Sequence, residues 1–338
     1  MEMKPRNVRV PELYGDFWFN GEPISLRAHQ GRIILLDYWD CTSISCLRAI
    51  PYLKLWHQKY SEFGMLVIGI HTPEFKFGRN PEQVERAIRK YGIEYPVVTD
   101  NEEFLWSAFG TRTRPTKYLI DRDGFIRYQH EGEGSYEQFE RAIQSLLAES
   151  GIRGTLPDLT GALRETDEAG AVCHKVSMDI HTGYVKGAIG NIEGSNPEST
   201  VDYEDQGIYL PGRLYVDGKW MMEREFMRFN GQIGEQGYLG LTYQAAEVSA
   251  VLNSEKGSVC EIAIEQDGLP LTDDNRGDDV ELKDSRSIVR VHTPRLYHLV
   301  KNKEFGEHTL RITTTSPHFS VYTFSFVTSV IHDVVHRN

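Results

Sequence analysis

Apolar residues in this chain change their period once, between positions 150 and 173, and no single domain type accommodates both patterns. Up to residue 150, short apolar runs alternate with helix-period stretches. Ile33–Trp39 and Met65–Ile70 suit buried strands, and Tyr95–Val98 is a third run. Helical patterns cover about 43–63, 83–91 and 102–109, and a last helix follows Ser135 with Phe139, Ile143, Leu146 and Leu147 inward. From Cys173 onward the helical period almost vanishes. Short runs rich in Val, Ile, Tyr and Thr recur instead, separated by turns such as Asp217-Gly218 and Asp267-Gly268. The first pattern predicts an α/β domain over residues 1–150, and the second an all-β sandwich, jelly-roll-like, over 172–333. Residues 151–171, rich in glycine and polar residues, read as a linker. A length of 338 residues is ample for two domains.

Within the α/β part, Asn20-Gly21 predicts a tight hairpin joining residues 17–19 to 24–26. Residues 117–120 and 125–128 form a second predicted hairpin over Asp121–Gly124, placing antiparallel strands at one edge of a centrally parallel sheet. The net charge of −12 divides unevenly, −2 before position 150 and −10 after it. That balance argues against nucleic acid as a partner, because phosphate binding needs a basic face. No stretch approaches the ~20 apolar residues of a membrane span. The first ten residues lack the apolar core of an export signal, which leaves a cytoplasmic protein and an envelope protein without its targeting segment as the alternatives.

The densest concentration of chemistry is Asp37-Tyr-Trp39-Asp-Cys41-Thr-Ser43-Ile-Ser-Cys46-Leu-Arg-Ala-Ile-Pro51, followed much later by Arg114-Pro115-Thr116. An acidic residue at a strand end, a tryptophan two residues on, an SxxC step and a proline five residues beyond its cysteine resemble the active-site strand and helix of thioredoxin-fold proteins, in particular the TlpA/DipZ-like thiol–disulfide oxidoreductases. The resemblance covers residues 10–150. It implies a cis bond before Pro115 opposite the cysteines, a role for Asp37 in taking the resolving cysteine's proton, and protein thiols or disulfides as partners. Trp39, Arg114 and Thr116 would line the substrate groove, and no cofactor or metal is called for.

The CxxC of that family works because residues three apart at a helix start lie about 5 Å apart between Cα atoms, within the ~4.4–6.8 Å that a disulfide tolerates. The first cysteine meets the helix N-terminus, where its thiolate is favoured, and the second resolves the mixed disulfide. Here the attacking position holds Ser43, which is no redox group, either by nature or as a trapping substitution. Cys41 lies two residues earlier. If both it and Cys46 were helical their Cα atoms would be about 8.6 Å apart, too far for a bridge, but bending before the helix would close the gap. Two readings follow: a relocated Cys41–Cys46 redox pair, or separate thiols with Cys46 half-buried and Cys41 near the surface. Ser43-x-x-Cys46 also imitates the threonine-x-x-cysteine of peroxiredoxins, though the accompanying upstream proline is replaced by Trp39. A rival from another class is a redox-inactive binding or adaptor protein.

Other residues have plainer readings. Trp56 and Trp106 read as packing, and His57 and His71 as structural, since neither has a partner at metal-ligand spacing in the sequence. Arg112 flanks the expected groove, and Phe75-Lys76-Phe77 lies in a loop near it. Beyond position 172, Cys173–Tyr184 resembles the opening of the domain that follows thioredoxin in DipZ-type proteins. Asp267-Gly268, Gly277-Asp278-Asp279, Arg295-Leu296-Tyr297 and Phe324-Ser325-Phe326 keep that domain's order. Its shape is similar to carbohydrate-binding modules, so Trp220 and Tyr184, with Tyr203, Tyr209 and Tyr243, are candidate glycan platforms or else strand core. Asp273–Asp279 fails the EF-hand pattern at two ligand places and reads as a solvated acidic turn. Cys173 and Cys260 read as free thiols rather than a bridge.

Overall fold

The computed structural model describes residues 7–151, 154–255 and 257–332. Its contacts divide the chain into two compact units, Met1–Gly170 and Ala171–Asn338.

The first unit contains β1 (Trp18–Phe19), β2 (Ile33–Trp39), α1 (Ile44–Tyr60), β3 (Met65–His71), α2 (Pro81–Tyr91), β4 (Val97–Thr99), α3 (Phe104–Ala108), β5 (Thr116–Ile120), β6 (Ile126–Glu131) and α4 (Tyr136–Glu149). The sheet order is β1-β4-β3-β2-β5-β6. The strands β2, β3 and β4 run parallel, while β5, β6 and β1 are antiparallel to their neighbours. This is a thioredoxin fold. Because side chains alternate along a strand, β2 serves two cores. Ile33, Leu35 and Trp39 pack beneath α1 and α4, and Ile34, Leu36 and Tyr38 pack on the opposite face. Asp37 lies between Leu35 and Trp39 and therefore points under α1.

The predicted hairpin at Asn20-Gly21 does not form. β1 pairs instead with β4, Trp18 opposite Val98, and residues 24–26 make no strand. Asn20 sits at φ 58° and its side-chain amide donates to the carbonyls of Ile93 and Tyr95, so the turn chemistry anchors the chain beside β4. Residues 154–170 do not behave as a free linker either. Tyr52 donates to Asp167 and accepts from the Leu163 amide, Lys59 bonds the Asp158 carbonyl, and Arg164 donates to the Arg48 carbonyl. Those contacts strap the segment across α1, and polar residues that suggested a linker supply them.

In the second unit every pairing between strands is antiparallel. Its strands are β7 (Ile180–His181), β8 (Thr200–Tyr203), β9 (Tyr215–Met222), β10 (Met227–Phe229), β11 (Gly237–Ser254), β12 (Cys260–Gln266), β13 (Leu269–Pro270), β14 (Glu281–Lys283), β15 (Arg286–Val291), β16 (Arg295–Thr314) and β17 (Phe319–Val327). Nine of them join in the order β14-β15-β12-β16-β11-β17-β10-β9-β8, with β13 on β12 and β7 on β17, around one core that includes Trp220, Tyr243, Tyr297 and Phe324. The β-rich runs 240–243 and 247–252 are two parts of the single long strand β11, and the run 308–312 belongs to the long strand β16. Irregularities at Ala245/Glu247 and Val248/Ser249 explain the broken pattern, since a bulge shifts which side chains face inward. Residues 207–210, whose Ile-Tyr-Leu run suits a strand, form none.

Candidate active site at the start of α1

Ser43 caps α1. Its backbone is extended, φ −90° and ψ 117°, and its Oγ accepts the Cys46 amide at 3.5 Å. Cys46 thus occupies the third helical position, fully buried, with its side chain in the core rather than at the helix mouth. Pro51 lies inside the helix, two turns from its start. The Arg114–Pro115 peptide bond is cis, and Thr116 beyond it is buried with its Oγ1 on the Thr113 carbonyl. Arg114 lies over the Trp106 ring at 4.7 Å, while Arg112 is exposed. Trp56 stacks on Phe139 in the core, and Phe75 stacks on Phe77.

Beneath Cys46 is a concentration of buried polar atoms. Asp37 and Lys117 are directly opposed on β2 and β5, with Oδ1 and Nζ 4.0 Å apart and both side chains about 1% exposed. Neither carboxylate oxygen nor the ammonium has a hydrogen-bond partner among the described residues, and the same is true of Trp39 Nε1 and the Tyr95 hydroxyl. Gly69 allows this crowding: a Cβ there would stand 3.0 Å from Trp39 Nε1 and 3.3 Å from the Tyr95 ring. Burying such groups unpaired costs several kcal/mol, so the arrangement is not explained by stability. Burial lifts the Asp37 carboxyl to about 6 against the opposing pull of Lys117, and pushes Lys117 below its usual value. Burial also drives the Cys46 thiol up to about 12; the Ser43 bond works against that rise and the Asp37 charge adds to it. At rest this thiol keeps its proton.

Cys41 precedes the helix in a turn closed by the Ser43 amide donating to the Asp40 carbonyl at 3.2 Å. It is buried, not near the surface, and both it and Cys46 are free. Its thiol is raised well above the ordinary range, first by burial and then by Asp40, with Cys46 close enough to add to the effect. Asp40 accepts from the Thr42 amide at 3.1 Å, the Thr42 hydroxyl at 2.8 Å and the Glu74 amide at 3.0 Å. His71 comes in from β3: its Nε2 is 3.6 Å from Asp40 Oδ1 and accepts the Cys41 amide at 3.4 Å. Burial opposes ionisation of Asp40, but His71, Arg114 and Thr42 outweigh it and bring the carboxyl down to about 2.

The structure therefore gathers Asp37, Trp39, Cys41, Ser43 and Cys46 around one helix start. Lys117, Tyr95, Asp40 and His71 were missed as site residues. A lone lysine in the apolar run 116–120 was a signal for Lys117. His71 lies thirty residues from Cys41, and only the parallel pairing of Trp39 with His71 brings them together.

In the second unit, Trp220 is no glycan platform. It is fully buried and its Nε1 donates to the Asp217 carbonyl at 2.8 Å. Tyr203 and Tyr243 are core residues too, their rings packed in the interior of the sandwich. Tyr184 and Tyr209 are half-buried, their hydroxyls donating to Glu198 and Asp205. Carboxylates of the acidic turn are engaged by bases: Asp273 by Arg276, Asp274 by Lys303 and Asp279 by Arg295. Cys173 and Cys260 are free; the Cys260 Sγ lies 3.1 Å from the hydroxyls of both Ser254 and Ser316.

The AhpC/TSA family matches residues 10–129, and the thioredoxin-like C-terminal domain matches residues 182–326. The protein DipZ of Mycobacterium tuberculosis is 30% identical over 277 residues, a stretch that is 78% of this chain. Both matched domains and the order between them agree with the architecture above. The chain belongs with the TlpA/DipZ-like thioredoxin-family proteins. It spans 37% of the length of DipZ. The thiol-disulfide oxidoreductase ResA of Bacillus anthracis is 28% identical over 126 residues, 37% of this chain and 70% of ResA. Among solved structures, a thiol-disulfide isomerase from Corynebacterium glutamicum is similar at 25% identity and a TM-score of 0.39, covering 42% of this chain and 97% of its own. No helix among the described residues is long and apolar enough to cross a membrane.

Proposed function

We propose that this DipZ-like chain exchanges thiols and disulfides with protein substrates, using Cys41 and Cys46 as a relocated redox pair. The observation that carries the reading is the convergence of two free thiols on the start of α1, each beside its own proton acceptor, Cys41 by His71 and Cys46 by Asp37.

His71 takes the Cys41 proton, and the thiolate attacks one sulfur of a substrate disulfide. A Cys41–substrate disulfide forms and the other substrate sulfur leaves as a thiolate. Asp37, held near neutral pKa by burial, takes the Cys46 proton. The Cys46 thiolate then attacks the Cys41 sulfur, forming the Cys41–Cys46 disulfide and releasing the second substrate thiolate. Two electrons pass from the dithiol to the substrate, and an external dithiol must return them for turnover. Ser43 stays out of the electron flow and holds the helix start. A peroxidase role fits less well, since Cys46 is sealed in the core. For the C-terminal sandwich we favour protein docking over glycan binding, because its largest aromatic candidate is core.

The test is alkylation in denaturant, with and without prior reduction, and peptide mapping of residues 33–54. After mild oxidation, Cys41 and Cys46 should resist alkylation until reduced and map as one linked species. If both alkylate freely, the redox pair is lost and the chain is a binding protein built on a thioredoxin fold. Insulin reduction by the chain and by Ser43→Cys gives a second readout, with activity in the variant alone also supporting the binding reading.

A further inference from the structure

We propose that Asp40, Cys41 and His71 form a buried binding site for a zinc-class divalent cation. Among the described residues, these three make the one group of His, Cys, Asp or Glu side chains whose ligand atoms all lie within 4.8 Å of one another. All three are buried, with His71 fully enclosed.

A triad would place thiol and carboxylate on opposite nitrogens of the imidazole; His71 accepts the Cys41 proton without that arrangement, and the same three side chains converge on a point. Here Asp40 Oδ1 lies on the Nε2 side and Nδ1 has no partner among the described residues; Nε2 accepts the Cys41 amide at a long 3.4 Å, a bond that ligation through Nε2 would replace. Nitrogen, sulfur and oxygen donors together favour zinc; calcium and magnesium take oxygen ligands, and copper(I) prefers sulfur. Charge balance points the same way. One thiolate, one carboxylate and one neutral imidazole neutralise a divalent cation, and buried charges persist when paired or bound to metal. Metal ligation would also deprotonate the thiol outright. Three protein ligands leave a fourth place for water. Asp40 is already positioned by Thr42 and the Glu74 amide, the kind of outer bonding that orients a metal-binding carboxylate.

This site does not depend on the redox reading, although a Cys41–Cys46 disulfide would remove its sulfur ligand. Cobalt(II) titrated into the reduced full chain reports sulfur ligation through a thiolate-to-metal charge-transfer band. The expected result is saturation at one equivalent, zinc displacing the cobalt, and loss of the band in Cys41→Ser with at least about a 100-fold fall in affinity, beyond the ~10–100-fold cost of losing an outer partner. Cys46→Ser should keep both band and stoichiometry, which guards against a general effect of altering the core. Absence of saturable binding in the parent chain, or an unchanged band in a folded Cys41→Ser, overturns the proposal. Disulfide mapping is unaffected by that failure, just as failure of the disulfide leaves the cobalt titration intact.

Discussion

Trp39 and Trp220 are both fully buried tryptophans on central strands, one in each unit, yet their surroundings differ in kind. The indole of Trp220 donates to Asp217, whereas that of Trp39 has no partner among the described residues. The contrast extends to their neighbours. In the sandwich, the Asn191 side chain donates to the carbonyls of Glu204 and Val216 and accepts the Val216 amide. Thr182, Ser287 and Tyr243 are likewise tied to Val321, Ile264 and Gln266. Beneath α1, by contrast, Asp37, Lys117 and Tyr95 have no hydrogen-bond partner among the described residues around Cys46, and the Asp37 and Lys117 charges face each other at 4.0 Å. Buried polar groups with complete partners specify a structure, while those without partners mark a place where something other than stability was selected.

Removing a satisfied group should show the largest effect on folding. Asn191→Ala removes the side-chain partner of the buried Val216 amide and carbonyl and of the part-buried Glu204 carbonyl, and should lower unfolding free energy by roughly 3–5 kcal/mol, read by denaturant melts. A loss under about 1 kcal/mol would mean the sandwich's polar bonds are replaceable and the contrast is weaker than drawn. The matching change under α1 should act in the opposite direction. The native state holds the Asp37 proton up to a pH of about 6, compared with 3.8 for the free side chain, so stability linked to this group is intact below about pH 4 and lost as pH rises through 6. The loss is roughly 3 kcal/mol at this fully buried carboxyl. Asp37→Asn should not suffer it: the variant gains on the parent between pH 4 and 7 while losing disulfide exchange. Parallel stability curves for the two proteins across that range would show that Asp37 is already paired in solution.

The same contrast explains how far the sequence could be read. The buried strand Ile33–Trp39, the helical pattern from about Ser43 and the proline five residues beyond Cys46 are local features, and they place the helix start and Asp37 correctly. The cis bond before Pro115, expected from the family resemblance, is also present. What could not be read is whatever depends on chain segments meeting. Lys117 faces Asp37 through antiparallel register, and His71 faces Cys41 through parallel register; neither pairing leaves a spacing in the sequence. Aromatic residues on sandwich strands carry no mark of which face they occupy, so Trp220 could not be distinguished from a surface platform. The bulges of β11 likewise broke the alternation around Tyr243, another of the glycan candidates.

The smallest predicted effect isolates the indole bond itself. Trp220→Phe and Trp39→Phe remove the same atoms from two fully buried positions, so their transfer and cavity costs largely cancel when compared. Trp220→Phe additionally strands the Asp217 carbonyl, whereas Trp39→Phe strands nothing and removes an unpaired donor. Trp220→Phe should therefore be the costlier by about 1 kcal/mol, measured as a difference in midpoint at constant denaturant slope. Equal costs would mean that water or a bound group satisfies Trp39 Nε1 in solution. The orphaned atoms would then describe a hydrated chamber beside Cys46, and Asp37 would reach the thiol's proton through that water.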